Sequence, residues 1–184
     1  MSKIGKKPIE IPAGVQVLKQ HDRLTIKGPL GENVFEVDPK VEISQEGNQI
    51  IVAPALNQSD KFTQALWGTV RAILANKIIG VKTGFQVDLI LEGLGYGAEV
   101  KGDEIVFKLG YNHLVFIPIP PEVKTEVKPQ KGFFLITVKG IDKDQVGQFA
   151  GCLRQLKPAE PYKGKGFRYV GEKIRRKTVK KLAK

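Results

Sequence analysis

Apolar and polar residues alternate along several short segments of this chain, and turn signals such as Gly-Pro and Glu-Gly-Asn separate the segments. A period of two predicts strands that bury one face. The first half of the chain contains VQVLK, RLTIK, VFEV and QIIVA, and the second half contains VDLILEG, EIVFKL, LVFIPI and FFLITVK.

One helix is predicted after each group of strands, because apolar residues there recur at helical spacing. The first helix follows Ser59, a suitable N-cap, and the second follows Asp142 and ends before Pro158. Their apolar positions are Phe62, Leu66, Val70, Ile73 and Leu74 in the first helix, and Val146, Phe149, Ala150, Leu153 and Leu156 in the second. Strands in a row followed by one helix predict an α+β fold, with an antiparallel sheet and one helix packed on a face.

The two halves of the chain also resemble each other. The segment GENVFEVDPKV matches GYNHLVFIPIPPEV, SDKFTQALWGTVR matches DKDQVGQFAGCLR at an offset of 83, and KTGF matches GKGF at an offset of 82. Three matches in the same order indicate a tandem duplication. We therefore predict two domains: residues 1–82, with a basic N-terminal arm, and residues 83–184, with a basic C-terminal tail.

The excess positive charge lies at the two ends. The 184-residue chain has a formal net charge of +11, of which residues 1–7 carry +3 and residues 158–184 carry +8. The intervening residues hold 17 basic and 17 acidic side chains, which cancel. A neutral body with basic ends predicts a polyanionic partner.

Compartment and membrane signals are sparse. The sequence has no apolar run of about 18 residues, so no membrane span is expected. No apolar region follows the basic residues of the start, so no secretory signal is expected. A single cysteine, Cys152, agrees with a reducing, cytoplasmic location, and its apolar neighbours predict a place in the core.

Motifs for catalysis or metal binding are weak. The run GLGYG at residues 93–97 lies between strand-like segments, which favours a turn or bulge over a dinucleotide site. Neither His21 nor His113 has partners at metal-ligand spacing. We therefore predict no catalytic residue, no metal, no cofactor and no enzymatic activity.

Two glycines four residues apart, Gly147 and Gly151, fall within the second predicted helix. Each costs about 1 kcal/mol of helix propensity relative to alanine, so a close approach to this face is expected. Packing against the sheet is favoured, and a partner's backbone is the alternative.

The segment PAEPYKGKGFRYVGEKIRRK, residues 158–177, suits contact with nucleic acid. Gly164 and Gly166 permit positive φ and let backbone amides approach an anion, while the lysines beside them supply charge. Tyr162, Phe167 and Tyr169 offer faces for stacking on bases. From Lys173 onward a basic helix or an arm ordered by its partner is expected. The competing interpretation is a solvated basic tail with the aromatic side chains in the core.

The phrase EPYKGKGFRY closely resembles a signature of the sixth protein of the large ribosomal subunit, in its bacterial form. The resemblance runs along the chain through MSKIGKKPIEIPAGV, KGPLGE and LGYNH. It implies two duplicated α+β domains, no catalytic site and no cofactor.

The resemblance also implies partners. Members of that family bind large-subunit ribosomal RNA mainly through the second domain and the carboxyl tail, beside the sarcin–ricin loop and the stalk base where translational GTPases dock. Neighbouring ribosomal proteins and transient contact with GTPases follow from this location. The implied RNA-binding residues are Tyr162, Lys163, Gly164, Lys165, Gly166, Arg168, Tyr169, Lys173, Arg175, Arg176 and Lys177. We add Arg154, which we expect to form a folded platform with Tyr162 beside the Gly-Lys loop.

Two other functions remain open. One is a free RNA chaperone or regulator that binds structured RNA outside a particle. The other is an enzyme subunit whose chemistry resides in a partner chain.

Overall fold

A computed structural model describes residues 3–55 and 60–178. These residues form two compact units. Unit 1 contains the residues up to Phe85 together with Ile141–Lys143, and unit 2 contains Gln86–Gly140 and the residues from Asp144 onward.

Unit 1 consists of six strands followed by a helix. The helix α1 spans Lys61–Thr83, and the strands form two antiparallel sheets in the orders β1-β6-β5 and β2-β3-β4. The strands are β1 (Ile9–Glu10), β2 (Gln16–Gln20), β3 (Arg23–Gly28), β4 (Gly31–Glu36), β5 (Val41–Glu46) and β6 (Gln49–Pro54).

The core of unit 1 lies between α1 and both sheets. Trp67, Leu74 and Ile78 of the helix are buried with apolar side chains from the strands, and the Trp67 indole N–H donates to the Val52 carbonyl at 2.6 Å. The N-cap of α1 is Asp60, whose carboxylate accepts from the Lys61 amide. The predicted cap Ser59 lies outside the described residues.

Residues 141–143 complete unit 1. Ile141 packs against its core, and a Cβ at Gly80 of α1 would collide with the Ile141 carbonyl oxygen. Asp142 pairs with Lys77 of α1 at 3.2 Å, with both side chains mostly buried. The helix therefore needs a glycine at position 80 to let this segment approach.

Unit 2 repeats the pattern and adds a final strand. The helix α2 spans Lys143–Leu156, and the sheets have the orders β10-β9-β8 and β11-β12-β7-β13. The strands are β7 (Phe85–Glu92), β8 (Gly97–Lys101), β9 (Glu104–Lys108), β10 (Val115–Pro118), β11 (Val123–Gln130), β12 (Phe133–Gly140) and β13 (Gly166–Tyr169).

The sheet orders confirm the predicted tandem α+β architecture. The order β1-β6-β5 in unit 1 corresponds to β7-β12-β11 in unit 2, and β2-β3-β4 corresponds to β8-β9-β10. Each unit has two small sheets where the sequence suggested one, because alternation predicts strands without identifying their partners. The ranges 1–82 and 83–184 for independently folding domains stay a prediction.

The exposed face of α2 differs from expectation. Cys152 is exposed, so its predicted place in the core is wrong. A Cβ at Gly147 or Gly151 would meet nothing within 4 Å, so these glycines do not pack against the sheet. The helix buries Val146, Phe149, Ala150 and Leu153. Among the described helices, none has the length and apolar character needed to cross a membrane.

Candidate nucleic-acid interface

The signature segment forms a tightly bonded loop between α2 and β13. The Phe167 amide donates to the Lys157 carbonyl at 2.8 Å, the Gly164 amide to Glu160 at 2.9 Å, and the Glu160 amide to Lys165 at 2.9 Å. These bonds fix the loop without a partner. They also occupy the Gly164 amide, which was expected from the sequence to be available to an anion.

The second half of the signature is a strand. Residues of β13 pair antiparallel with β7, and Gly166 lies opposite Glu92. Phe167 is fully buried, with its ring edge-on to Phe107 at a centroid distance of 5.4 Å. The prediction that Phe167 could stack on a base is therefore wrong, and the core interpretation holds for this residue.

Both signature glycines have positive φ, as predicted. Gly164 has φ of +75° and Gly166 has φ of +128°. A Cβ at Gly166 would lie 2.6 Å from the carbonyl oxygens of Lys157 and Pro158, whereas one at Gly164 would meet the Arg176 guanidinium at 3.1 Å. Gly166 thus permits a close backbone crossing within the chain. The approach of either glycine to a phosphate stays a prediction.

The basic tail folds back onto this loop. The Lys177 amide donates to the Pro161 carbonyl at 2.9 Å, and Arg176 lies beside Gly164. Residues 172–178 form neither helix nor strand, so the structure favours the arm over the helix for this part of the tail. The later cations Lys180, Lys181 and Lys184 lie outside the described residues.

Arg154 attaches the tail to α2. Its guanidinium Nη2 lies 2.6 Å from Glu172 Oε1, and its Cζ lies 5.3 Å from the centre of the Tyr169 ring. Glu172 also accepts from the Tyr169 amide at 3.0 Å. This amide bond is the largest cause that lowers the pKa of Glu172 from 4.5; burial opposes it, and Arg154 and Arg168 lower the pKa further. The charge of Arg154 is therefore compensated within the chain.

Arg168 has a similar local role. Its Nη2 lies 2.8 Å from Glu92 Oε2, which joins β13 to β7. Arg154 and Arg168 were predicted as RNA-binding residues; the geometry gives each a carboxylate partner. Direct RNA contact by either arginine stays a prediction.

The remaining predicted cations lie in the loop and the tail and have no described ion-pair partner. The tail runs beside the loop at Arg176 and Lys177, and we call the cations of these two segments the cation surface. Tyr162, 51% exposed, stands in the same loop. The cation surface consists of Lys163, Lys165, Lys173, Arg175, Arg176 and Lys177.

A second group near the loop was not singled out from the sequence. Lys157 Nζ lies 4.4 Å from the centre of the Tyr111 ring, which stacks against His113 at 5.8 Å. The Tyr111 hydroxyl donates to the Leu156 carbonyl at 3.3 Å. The only sequence signal was the motif LGYNH, which places two aromatic rings in a turn between strands.

Among the described residues, no group of three or more His, Cys, Asp or Glu side chains is placed to hold a metal ion. The interface contains cations and an exposed aromatic ring, that of Tyr162. This arrangement can bind a polyanion.

Comparison with known proteins identifies the family. The family model for ribosomal protein L6 matches residues 11–84 and again residues 92–170. The chain belongs to the ribosomal protein L6 family. The two matches coincide with the duplicated pattern of strands and helix, so the resemblance proposed from the sequence is confirmed.

Relatives in this family span nearly the whole chain. The large ribosomal subunit protein uL6 of Dictyoglomus turgidum is 45% identical over 181 residues, covering 98% of both chains. The uL6 proteins of Caulobacter vibrioides and Listeria welshimeri are 42% and 46% identical, each over 98% of this chain and over 99% and 98% of their own. The L6 family consists of structural proteins, so the prediction that the chain is not an enzyme is confirmed.

Proposed function

We propose that this chain is a structural constituent of the large ribosomal subunit that binds large-subunit ribosomal RNA through unit 2. The names of its relatives assign those proteins to that particle. Because bacterial ribosomes are cytoplasmic, we expect the protein in the cytoplasm.

The observation that carries this proposal is the folding of the tail onto the signature loop. The Lys177–Pro161 hydrogen bond and the packing of Arg176 on Gly164 hold the tail against the loop that carries Lys163 and Lys165. Because loop and tail are held together within the chain, binding phosphates needs little further ordering of the backbone, which favours a folded RNA of matching shape.

The finer location follows from the family resemblance. We place the RNA site beside the sarcin–ricin loop and the stalk base, with neighbouring ribosomal proteins as further partners and translational GTPases as transient ones. The position agrees with a role in supporting the region where those GTPases dock.

We assign most of the RNA affinity to the second half of the chain. A fragment of residues 83–184 is expected to keep it, and a fragment of residues 1–82 to bind weakly. Equal binding by the two fragments would contradict this division.

Sedimentation tests the proposal. The chain should co-migrate with large subunits at a ratio of one to one after a high-salt wash. A variant with Lys163, Lys165, Arg175 and Arg176 changed to Ala should be lost in that wash, whereas a variant with four exposed lysines outside the cation surface changed, Lys101, Lys108, Lys124 and Lys128, should remain. Release of the wild-type chain by salt would favour a free RNA chaperone. Co-migration with a separate enzyme instead would favour the enzyme-subunit alternative.

Hydroxyl-radical footprinting of large-subunit RNA tests the finer location. Protection should fall on the sarcin–ricin loop region and the stalk base. Protection confined to another part of the RNA would leave ribosome membership standing and remove the proposed location.

A further inference from the structure

Three connections of unit 2 meet at one end of its four-stranded sheet. They are the turn after β7, the β11–β12 hairpin and the loop before β13. Glu92 at the end of β7 lies opposite Gly166 at the start of β13, and Gln130 lies opposite Phe133. The strands β12 and β7 are neighbours, and residues of all three connections line one groove.

Between these connections is a groove of about 390 Å³, which we call the sheet-end groove. Its volume is at the lower end of the range of roughly 300–1,000 Å³ for sites that hold small molecules. It has room for a single nucleotide and is far too small for a duplex. It is lined by Glu92, Gly93, Leu94, Gly95, Gln130, Gly132, Phe133, Phe134, Lys163 and Lys165.

The charge of the groove favours an anion. Lys163 and Lys165 lie on its wall, and the exposed Lys131 stands at the tip of the adjoining hairpin. The one carboxylate in the lining, Glu92, is paired with Arg168 at 2.8 Å. The lysine charges therefore remain for a partner.

The apolar part of the lining favours a base. Phe133 and Phe134 both line the groove and are only partly buried. They are neighbours on β12, so their side chains point to opposite faces of the sheet and one of the two rings faces the groove. Leu94, at the tip of the opposite turn, is 89% exposed. Aromatic faces beside lysines are the combination on which unpaired bases stack while their phosphates are bound.

We infer that the sheet-end groove binds one unpaired nucleotide of RNA, with its base against the phenylalanine ring that faces the groove and its phosphate on Lys163 and Lys165. This inference rests on the proposed function and adds a site to it. A paired base buries its faces in the duplex stack, so the groove selects a loop or bulge. The Gly-Lys loop thus serves two surfaces, with the cation surface following the RNA backbone and the groove holding a base.

Ultraviolet crosslinking of the full-length wild-type chain to a large-subunit ribosomal RNA transcript tests this directly. After digestion, mass spectrometry should find a nucleotide on peptides that contain Leu94, Phe133 or Phe134. The measurement requires no substitution, so a variant that fails to fold cannot obscure it.

Substitutions separate base stacking from charge. Of Phe133→Leu and Phe134→Leu, the substitution of the ring that faces the groove should weaken binding of the full-length chain to the transcript about fivefold or more, because the base no longer stacks on an aromatic ring. The salt dependence should be unchanged. The matched control is Phe116→Leu, at an exposed phenylalanine of β10, which should bind as the wild type does.

The charge experiment uses Lys131 at the hairpin tip beside the groove, which we expect to neutralise the phosphate next to the one on Lys163 and Lys165. Lys131→Ala should reduce the slope of log affinity against log salt by about 0.7–0.9, the change expected when the protein neutralises one phosphate fewer. Lys124→Ala removes the same charge at the opposite end of β11 and should leave the slope unchanged.

The outcomes distinguish this inference from the proposed function. Tight RNA binding without crosslinks in the groove, or with unchanged affinity of both phenylalanine variants, would overturn the nucleotide site and leave the proposed function intact. Crosslinks from the groove to another protein in reconstituted subunits would also overturn it. Failure of the wild-type chain to bind the transcript would overturn both.

Discussion

At Gly166 the backbone has φ of +128° and crosses two carbonyl oxygens so closely that a Cβ would lie 2.6 Å from each. At Gly164 φ is +75°, and a Cβ would meet only the end of the flexible Arg176 side chain. Two glycines of one short motif are therefore constrained differently. Position 166 requires glycine because of packing within the chain. Position 164 requires glycine mainly because its φ is positive.

We expect Gly166→Ala to destabilise the full chain by more than Gly164→Ala. At position 164 the expected cost is about 1–2 kcal/mol, the cost of left-handed backbone for an L-residue. At position 166 backbone overlap adds to that cost, because neither carbonyl oxygen can rotate away as a side chain does. Urea denaturation measures both. Equal losses would mean that the close crossing is relieved at little cost.

The Glu172 carboxylate supplies a pH-dependent part of the stability. Because its pKa is lowered in the folded chain from 4.5, its contribution is fully present above that value and is lost as pH falls through the folded pKa. Glu172→Gln should therefore be less stable than the wild type at neutral pH, and the difference should shrink below about pH 4.5.

Denaturant unfolding at neutral pH and at about pH 3.5 measures this change. The control is Glu99→Gln, which removes a carboxylate from the exposed Glu99–Lys101 pair of unit 2; an exposed pair contributes little at any pH. A difference for Glu172→Gln that stays constant with pH would show that the variant disturbs packing and not charge.

On the scale of elements, α1 and α2 each contain a glycine whose surroundings decide the effect of a methyl group. In α2, Gly147 faces open space, whereas in α1 Gly80 faces the Ile141 backbone. Gly147→Ala should raise the free energy of unfolding by about 1 kcal/mol through helix propensity. Gly80→Ala is the matched control and should lower it.

Thermal unfolding of the two variants checks these signs, and incorporation into large subunits adds a second measurement for Gly147→Ala. If the stabilised variant enters subunits less well than the wild type, a partner approaches this helix closely. Normal incorporation would leave Gly147 without a role in assembly, and a loss of stability would contradict the propensity argument.

Structural features that depend on residues close together in the sequence were predictable. The ends of α2 followed from Asp142 and Pro158, and the aligned repeats place Val41 with Val123, which begin β5 and β11. The strand β1 has two residues, too few to show alternation. The edge strand β11 carries charged residues on its exposed side and few apolar residues opposite them, so its pattern is weak. The strand β13 was not predicted, since its partner β7 is remote in sequence.

The candidate site was predictable only in those features that residue type alone determines. The cations and the positive φ of both signature glycines followed from residue types. The pairing of Arg154 with Glu172 and of Arg168 with Glu92 did not, because it depends on which segments the fold brings together. The sheet-end groove was missed for the same reason, since its three segments are separated along the chain.

For the whole molecule, the cation surface predicts a salt dependence. If all six cations engage phosphates, log affinity for ribosomal RNA should fall against log salt with a slope of about −4 to −5. The preformed loop should also give shape selectivity, so the full chain should prefer its ribosomal site over random duplex RNA at least tenfold, about 1.4 kcal/mol.

Competition binding with a peptide of residues 158–184 provides the comparison. The peptide carries the same charges without α2 and β7, so it should bind both RNAs about equally. A full chain that showed no preference over random duplex would reduce the interface to its charge alone.

The assignment of residues 141–143 to unit 1 has a consequence for protein synthesis. A ribosome adds about 5–20 residues per second, so the 58 residues from 86 to 143 take about 3–12 s to follow Phe85. During that interval the nascent first unit lacks Ile141 in its core and Asp142 beside Lys77. The strands and helix of the first unit can fold in that interval, but the contacts of residues 141–143 are added only afterwards. The first unit therefore acquires its last contacts in the later part of translation, and a chain released before residue 141 would lack them.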